Sequence, residues 1–542
     1  MISILILLIL PIIALGNPFS PYIIVKSEPR EYFHEIKRPF IYPFEQSFDV
    51  QTGSFDVLSF TKSQDGNLLN HLEEKYKDFS FDQKTSVYAY PFAIHPEWEI
   101  LPYPYVGGIQ GSDPKLWVEE FKIESDKNEG VRSFAFQERL NELTGTKAYA
   151  GNKVHLLKTP SHMEEIYRRV ADSKKHIFIT SFMFQCDLGM EKLLNLLEQK
   201  VSEGVEVYLI YDQKFSLANI SCKKRLKRMG IKVALHHAKS PLFVFHEKMM
   251  VFDGTYGMIL GHNMLASQVI STGTNNLIND MAIGVEGPMV GVIANRFLEH
   301  WSGILGKKMN PEIESFYAKL NLTNEQYASD ESVKEGLEQG RGVCRLVNKG
   351  PGKKNKQISQ LYTETVKATK NYLFFNMIDV AFRKPHGKKT NEKFINEVVQ
   401  RANTTPGLRV DMLTNNWKLP TDVETTNGQG ISQNLFSKIS VALGRIVTKR
   451  PHTEIPKTQK SLNSVLTSEN FHWWSYSQYM HGKTLMSDNI FSLVGSYNIN
   501  STSEAQSFEQ VMACVDSELA QEFQQSIVID TLNSIPVPLL KP

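Results

Sequence analysis

Two tracts of the chain alternate short apolar runs with amphipathic runs of helical spacing. KKHIFITSFMF (174–184), rich in β-branched and aromatic residues, predicts a strand. MEKLLNLLEQKVSEG (190–204) repeats leucine at helical intervals and closes on Gly204, which predicts an amphipathic helix with glycine just past its end. VEVYLIYDQ (205–213) predicts a buried strand, KKRLKRMG (223–230) the basic end of a helix, and IKVALHH (231–237) a further strand. Strand, helix and strand with short joints predict βαβ units on a mainly parallel sheet. The order then recurs: KNYLFFNMIDV (370–380) as strand, NEKFINEVVQRANTTPG (391–407) as helix with its exit, LRVDMLTNN (408–416) as strand. SFMFQCD matches FFNMIDV by type, and GVEVYLIYDQ matches GLRVDMLTNN, so the pattern predicts an α/β chain with an internal duplication. The first half is expected over 149–327 and the second over 343–535. ASDESVKEGLEQGRG (328–342), polar and charged, is expected to be the linker, and TTNGQG (425–430) a loop within the second half.

The flanks differ in texture. Residues 1–16 carry an apolar run, Ile2 to Leu15, and a small-x-small ending, Ala14-Leu15-Gly16. A membrane span needs ~20 apolar residues, so the run fits an export signal better than an anchor. Residues 17–148 hold proline and aromatic clusters (PYPYVGG, AIHPEWE) without sustained periodicity, which predicts an irregular N-terminal region. A chain of 542 residues, 41% hydrophobic and 22% charged, has the composition of a globular protein with several cores. Its net charge of +2, from 60 basic and 58 acidic residues, creates no global field to hold a polyanion. Cys186, Cys222, Cys344 and Cys514 form no CxxC or Cys/His cluster, which argues against a zinc site. They allow up to two bridges, with three connectivities, or buried free thiols.

The chemistry lies in two short stretches. FHEKMMVFDG (245–254) and MHGKTLMSDN (480–489) share His-x-Lys, four residues, then Asp: His246, Lys248 and Asp253 in the first half, His481, Lys483 and Asp488 in the second. An asparagine follows each aspartate by ten residues, Asn263 in LGHN and Asn498 in GSYN. In a strand, residues i and i+2 share a face, so each His and its Lys project into one space. The Asp at i+7 has the opposite parity and is expected to support the site rather than contact the reacting group. Joined, the halves would offer two histidines, two lysines and two amides. That set can clamp the non-bridging oxygens of a phosphodiester without a metal. One neutral imidazole can attack phosphorus, and the other can protonate the leaving oxygen and then deprotonate water or an alcohol. Neither motif carries a carboxylate cluster suited to magnesium or calcium.

Paired HxKx4D motifs, the second followed by GSxN, resemble the phospholipase D superfamily over roughly residues 150–530. The texture is similar to bacterial cardiolipin synthase-like and phosphatidyltransferase members. NDMAIGVEGPMVGVIANRFLEHW (279–301) is similar to the family's Asp-containing strand, Gly-Pro turn and helix ending in Trp, and puts Asp280 at the family's Asp. GSYNINSTSEAQSFE (495–509) is similar to its run from GSxN to a Glu, here Glu509, with Ser496 at the Ser. The resemblance implies two α/β/α sandwich halves related by a pseudo-twofold axis, with one site between them. It implies His246 as nucleophile, His481 as general acid and base, and Lys248, Lys483, Asn263, Asn498 and Ser496 on the phosphate. Asp253 and Asp488 would orient the site indirectly, and Asp280 and Glu509 would support it; no cofactor or metal is implied. Leu260 departs from the Gly often found before the Asn turn, and Thr502 from an Arg common in cardiolipin synthase-like members.

The leading expectation is an exported phospholipase D-type phosphodiesterase, periplasmic or secreted. It would hydrolyse phospholipid head groups at a membrane surface or transfer phosphatidyl to an alcohol, acting as a monomer because both motifs lie in one chain. Phe243, Phe245, Trp473, Trp474 and Tyr476 flank the motifs, with two readings open: walls of an acyl-lined entrance, or core. The same phosphate clamp would serve a nuclease, with KKRLKR (223–228), KKNK (353–356) and RKPHGKK (383–389) as basic contacts for nucleic acid. A non-catalytic envelope or binding protein on the same fold is the third reading.

Overall fold

A computed structural model describes residues 22–25, 87–90, 130–158, 161–186, 188–213, 220–236, 243–265, 278–378, 390–415, 455–476, 479–532, 534–537 and 539. The expected export signal (1–16), nearly all of the N-terminal region up to residue 129, and the loop at 425–430 lie outside the described residues. Of the early chain only an antiparallel pair is described, β1 (Tyr22–Val25) with β2 (Val87–Tyr90).

The duplication is drawn strand for strand. The first sheet comprises β3 (Lys153–Lys158), β4 (His176–Ser181), β5 (Glu206–Asp212), β6 (Lys232–His236), β8 (Met249–Phe252), β9 (Tyr256–Leu260) and β11 (Met281–Glu286). Two short strands, β7 (Val244–Phe245) and β10 (Ile278–Asn279), stand outside it. Its order is β3-β11-β9-β8-β4-β5-β6. The second sheet comprises β12 (Val343–Lys349), β13 (Tyr372–Met377), β14 (Arg409–Asn415), β15 (Phe471–Tyr476), β17 (Thr484–Ser487), β18 (Phe491–Gly495), β19 (Ser507–Val515) and β20 (Ser534–Pro536); β16 (Tyr479–Met480) stands outside it. It repeats the order as β12-β19-β18-β17-β13-β14-β15 and adds β20 at the edge.

The sheets are mixed rather than mainly parallel. Only β4-β5-β6 and β13-β14-β15, the strands joined through helices, run parallel. β8 and β9 are joined by a tight turn through Asp253, Gly254 and Thr255, which forces them antiparallel, as β17 and β18 are in the second half. Strands buried on both faces, such as His176–Ser181 and Tyr372–Met377, explain the apolar runs of the sequence. One core lies between the sheets, where Phe178, Met249 and Met281 meet Phe374, Met486 and Met512 together with the helices Met289–Leu298 and Ser517–Leu532. The outer faces carry separate cores under Ser161–Asp172 and Glu191–Ser202 in the first half, and under Gln357–Ala368 and Thr390–Thr404 in the second.

The expected linker is instead a helix, Asp330–Gln339. Ser329 accepts from the Ser332 amide at its N-terminus and Gly340, at φ 67°, ends it. Val333 and Leu337, four residues apart, are buried against Phe136 and Leu140 of the helix Phe134–Thr144. That helix precedes residue 149 in sequence and packs with the second half. All four cysteines are paired, Cys186 with Cys222 and Cys344 with Cys514, so each bridge lies within one half.

Candidate active site

Each His-x-Lys triplet sits in a break between two strands rather than within a ladder. β7 ends at Phe245, residues 246–248 leave the sheet, and β8 resumes at Met249; β16 and β17 flank residues 481–483 in the same way. The short strand before each triplet pairs with the other half. β7 lies parallel to the start of β19 and β16 parallel to β10. The His246 amide then donates to Phe508 O (3.1 Å) and the His481 amide to Asn279 O (2.7 Å). The seam between the halves therefore runs through both histidines.

The residue after each cross-half pairing, Asp280 after Asn279 and Glu509 after Phe508, is a carboxylate, and each faces the opposite half's histidine. His246 Nδ1 lies 2.9 Å from Glu509 Oε2, and His481 Nδ1 bonds Asp280 Oδ2. A carboxylate can only accept, so both N–H groups are assigned to Nδ1, leaving Nε2 to face the reaction. Asp280 also accepts from the Met281 amide (2.8 Å), and Ser496 Oγ donates to Glu509. Gly261 occupies the position of Ser496 in the first half, and a Cβ there would stand 2.0 Å from Asp280 Oδ1. The carboxylate takes that space.

The lysines fold back onto the triplets. Lys248 Nζ donates to His246 O (2.7 Å) and Lys483 Nζ to His481 O and Gly261 O (3.3 Å). Lys483 Nζ also lies 3.0 Å from His481 Nδ1 and 3.9 Å from the Asp280 carboxylate. Gln510 Nε2 crosses from the second half to Lys248 O (2.7 Å). Asn263 Oδ1 accepts from the Met183 amide (3.3 Å), while Asn498 Oδ1 is buried without a partner.

Burial pushes both catalytic-motif imidazoles down to about 4, opposed by Glu509 at His246 and reinforced by Lys483 at His481. Both rings are thus neutral near pH 7, the state a nitrogen nucleophile needs. Burial also lowers Lys248 to about 7. Burial opposes charge on Asp280, yet Lys483 and His481 hold it well below the usual carboxylate range; His246 and Lys248 act in the same way on Glu509. His176, buried beside Tyr317, is a third imidazole lowered to about 4. Unfolded histidines titrate near ~6.5, so the unfolded chain takes up protons first, and stability falls as pH drops from about 6.5 toward 4. Glu522, raised by burial to about 7, works in the opposite sense, as do Asp488, Asp516 and Asp530, but burial also lowers His155, His162, His262, His300 and His472, so the imidazoles outnumber the raised carboxyls. Thermal melts at pH 7 and pH 5 check this: the midpoint is expected to be lower at pH 5, and an equal or higher one would contradict the assignment.

Asp253 and Asp488 stand away from the reacting end of the motif, in the supporting role that the parity of the spacing predicts. Each lies in the turn beyond its strand, β8 or β17, at φ 53° and 49°, seven residues from its histidine, up to roughly 23 Å at strand rise. Asp253 accepts from the amides of Lys174, Lys175 and His176 at 2.7–2.9 Å, and Asp488 from Lys370, Asn371 and Tyr372 at 2.7–3.1 Å. Each carboxylate thereby caps the start of the neighbouring antiparallel strand, β4 or β13. Ser496 is fully buried, with its hydroxyl on Glu509 and on the Gln510 amide (3.1 Å), so it orients Glu509 instead of meeting phosphate. Of the two readings of the flanking aromatics, core holds for Phe245, Trp473, Trp474 and Tyr476, which are at most 2% exposed, with Trp473 and Trp474 donating to Thr414 and Asp411. The half-buried aromatic at the site is Phe182, edge-on to His246 at 5.1 Å between ring centroids. The Leu260 departure is accommodated: the side chain is buried in β9 and the turn to Asn263 starts one residue later, at Gly261.

Sequence reading also passed over Glu247, the central residue of the first triplet. It is fully buried and bound by Arg296 and His300, and in the sequence it stands between His246 and Lys248, which carry the motif.

Comparison with known proteins agrees with this geometry. The family described as "Cardiolipin synthase, PLD-like domain" matches residues 166–301 and 364–528, one segment in each half. The chain is 22% identical over 480 residues to cardiolipin synthase A of Pseudomonas syringae, covering 83% of this chain and 86% of that one. It is 22% identical over 390 residues to cardiolipin synthase 1 of Staphylococcus epidermidis, covering 70% and 68% respectively. Among solved structures, phosphatidylserine synthase of Haemophilus influenzae aligns over 74% of this chain and 91% of its own, with 14% identity and a TM-score of 0.48.

Proposed function

The chain belongs to the phospholipase D superfamily, in the cardiolipin synthase, PLD-like family, and from that premise we propose that it cleaves a phospholipid phosphodiester through a phosphohistidine on His246. At the coarser level it is a phospholipase D-like phosphodiesterase or phosphatidyltransferase. The observation that carries the finer reading is the reciprocal pairing of each histidine with a carboxylate of the opposite half.

The first step forms a bond from His246 Nε2 to phosphorus and breaks the bond to the leaving oxygen. Glu509 holds the Nδ1 proton and so keeps the Nε2 lone pair directed at phosphorus. Lys248 and Lys483 neutralise the non-bridging oxygens, assisted by Asn263 and Asn498. His481, neutral in the empty site, takes up a proton as the phosphate anion engages Lys483, and passes it to the leaving alkoxide. In the second step His481 removes a proton from water or an alcohol, whose oxygen bonds phosphorus as the P–N bond breaks. Each proton transfer contributes about 10²- to 10⁴-fold.

We place the substrate at a membrane surface, with the enzyme exported and active as a monomer. Two disulfides and the apolar leader support an oxidising compartment. Among the described residues no helix is long and apolar enough to cross a membrane. Of the three charge runs of the nuclease reading, RKPHGKK lies outside the described residues, KKNK follows β12 at the end where Lys349 pairs with Glu509, and KKRLKR is turned away from the site. KKRLKR closes the helix Ile220–Arg228 at its C-terminus, where cations complement the helix dipole. That end leads into β6 and lies opposite the end of the parallel strands that meets the seam. Incubation with mixed phospholipid vesicles and a primary alcohol, read by mass, tests the proposal. A phosphatidyl-alcohol product is expected. Cleavage of DNA or RNA with lipid untouched would overturn it.

A further inference from the structure

Glu247 separates His246 from Lys248 and points to the opposite side of the extended triplet, into the core between the sheets. Arg296 Nε lies 3.1 and 3.0 Å from its two carboxylate oxygens, and a second guanidinium nitrogen also bonds Oε1. His300 Nε2 donates to Oε2 (3.0 Å) and accepts at Nδ1 from His236 (3.2 Å). Arg296 ends the helix Met289–Leu298, and His300 stands in the π-helical turn that follows, Glu299–Ile304. Interrupted turns of this kind recur at functional sites.

The second half has no counterpart. Gly482 occupies the central position there, and a Cβ would meet Asn376 Nδ2 at 2.4 Å. The duplication thus keeps the histidines, lysines and supporting carboxylates in both copies but builds an ion-paired carboxylate into only the first triplet; at the second, the buried Lys158–Asp530 pair reaches the backbone of His481 and Gly482 only through Asn279. Such a pair is costly to desolvate, and apolar residues of similar volume are often as stable or more so. A carboxylate within one triplet alone, clamped from the helix behind it, calls for a role other than stability.

We propose that Glu247, clamped by Arg296 and His300, is a positioning residue that fixes the His246–Lys248 triplet in the first half and so makes His246, not His481, the attacking imidazole. This rests on the phosphohistidine reading above. Glu247 also contributes to the field on Lys248, which faces Glu509 and Asp280 as well as the Lys483 cation.

The test uses the full chain with bis-p-nitrophenyl phosphate as probe, with the phosphorylated histidine located by peptide mass. Wild-type turnover and label on a histidine of the two motifs are measured first; their absence overturns both readings together. With wild type active, E247Q is expected to lose about 100-fold in kcat with KM changed by less than about threefold, as misplacement of a reacting group does. The alkaline limb of its pH profile should move to lower pH, because Lys248 loses a neighbouring anion. E247D should recover part of kcat. The double variant E247M/R296M removes both buried charges, so it should melt as wild type does yet stay as slow as E247Q. Wild-type kcat and an unmoved pH profile in the folded double variant would overturn the proposal, as would label on His481 in the wild type.

Discussion

The His246→Ala protein is expected to lose turnover by on the order of 10³- to 10⁵-fold and to form no covalent phosphoenzyme, while keeping its fold. The fold is spared because the imidazole is held by one carboxylate at the seam and fills no part of the central core. His481→Ala should be equally poor on a lipid, whose alkoxide needs a proton to leave. It should differ on an ester with a phenolate leaving group, which needs none. There the first step survives, the second lacks its base, and phosphohistidine accumulates on His246. The two variants thus separate by substrate, as interchangeable histidines would not. Full lipid turnover by His246→Ala, or an identical response of both variants to the phenolate ester, would sink the division of labour.

The second large effect is on stability. Asp488→Ala is expected to cost about 3 kcal/mol, because it strips acceptors from three backbone amides at the start of β13. Asp488→Asn should recover most of it. The Asn371 and Tyr372 amides meet one carboxylate oxygen, which an amide side chain can supply, and burial already disfavours the charge at this position. Denaturant melts check the ranking of wild type, Asn and Ala. The folded fraction of either variant should retain kcat within a few-fold, since Asp488 lies at the far end of β17 from His481. A large kcat loss in fully folded Asp488→Asn would overturn this structural assignment.

What the sequence made legible was local. The His-x-Lys spacing, the apolar strand runs and the repeat of both are properties of neighbouring residues, and the two sheets follow them closely. Partners far along the chain were another matter. Glu509 stands 263 residues from His246 and Asp280 stands 201 from His481; each was found through family likeness, with no indication of which histidine it would meet. Residues 328–342 misled for a different reason. Their charges suggested a linker, while the helix rests on two apolar residues four apart and two capping residues. The strand assigned across FHEKMMVFDG also breaks at the triplet, because the chain leaves one half to pair with the other. No period of two within a single strand encodes that crossing.

The crossed carboxylates carry a consequence for inactivation. Sliding or parting the halves along the seam would deprive both imidazoles of their orienting anions in the same motion. Heat or denaturant should therefore extinguish activity in one step, at the onset of loosening between halves, before either sheet melts. A half expressed alone would hold a histidine, a lysine and a carboxylate meant for someone else's histidine. It could regain a complete pair only by meeting its complement.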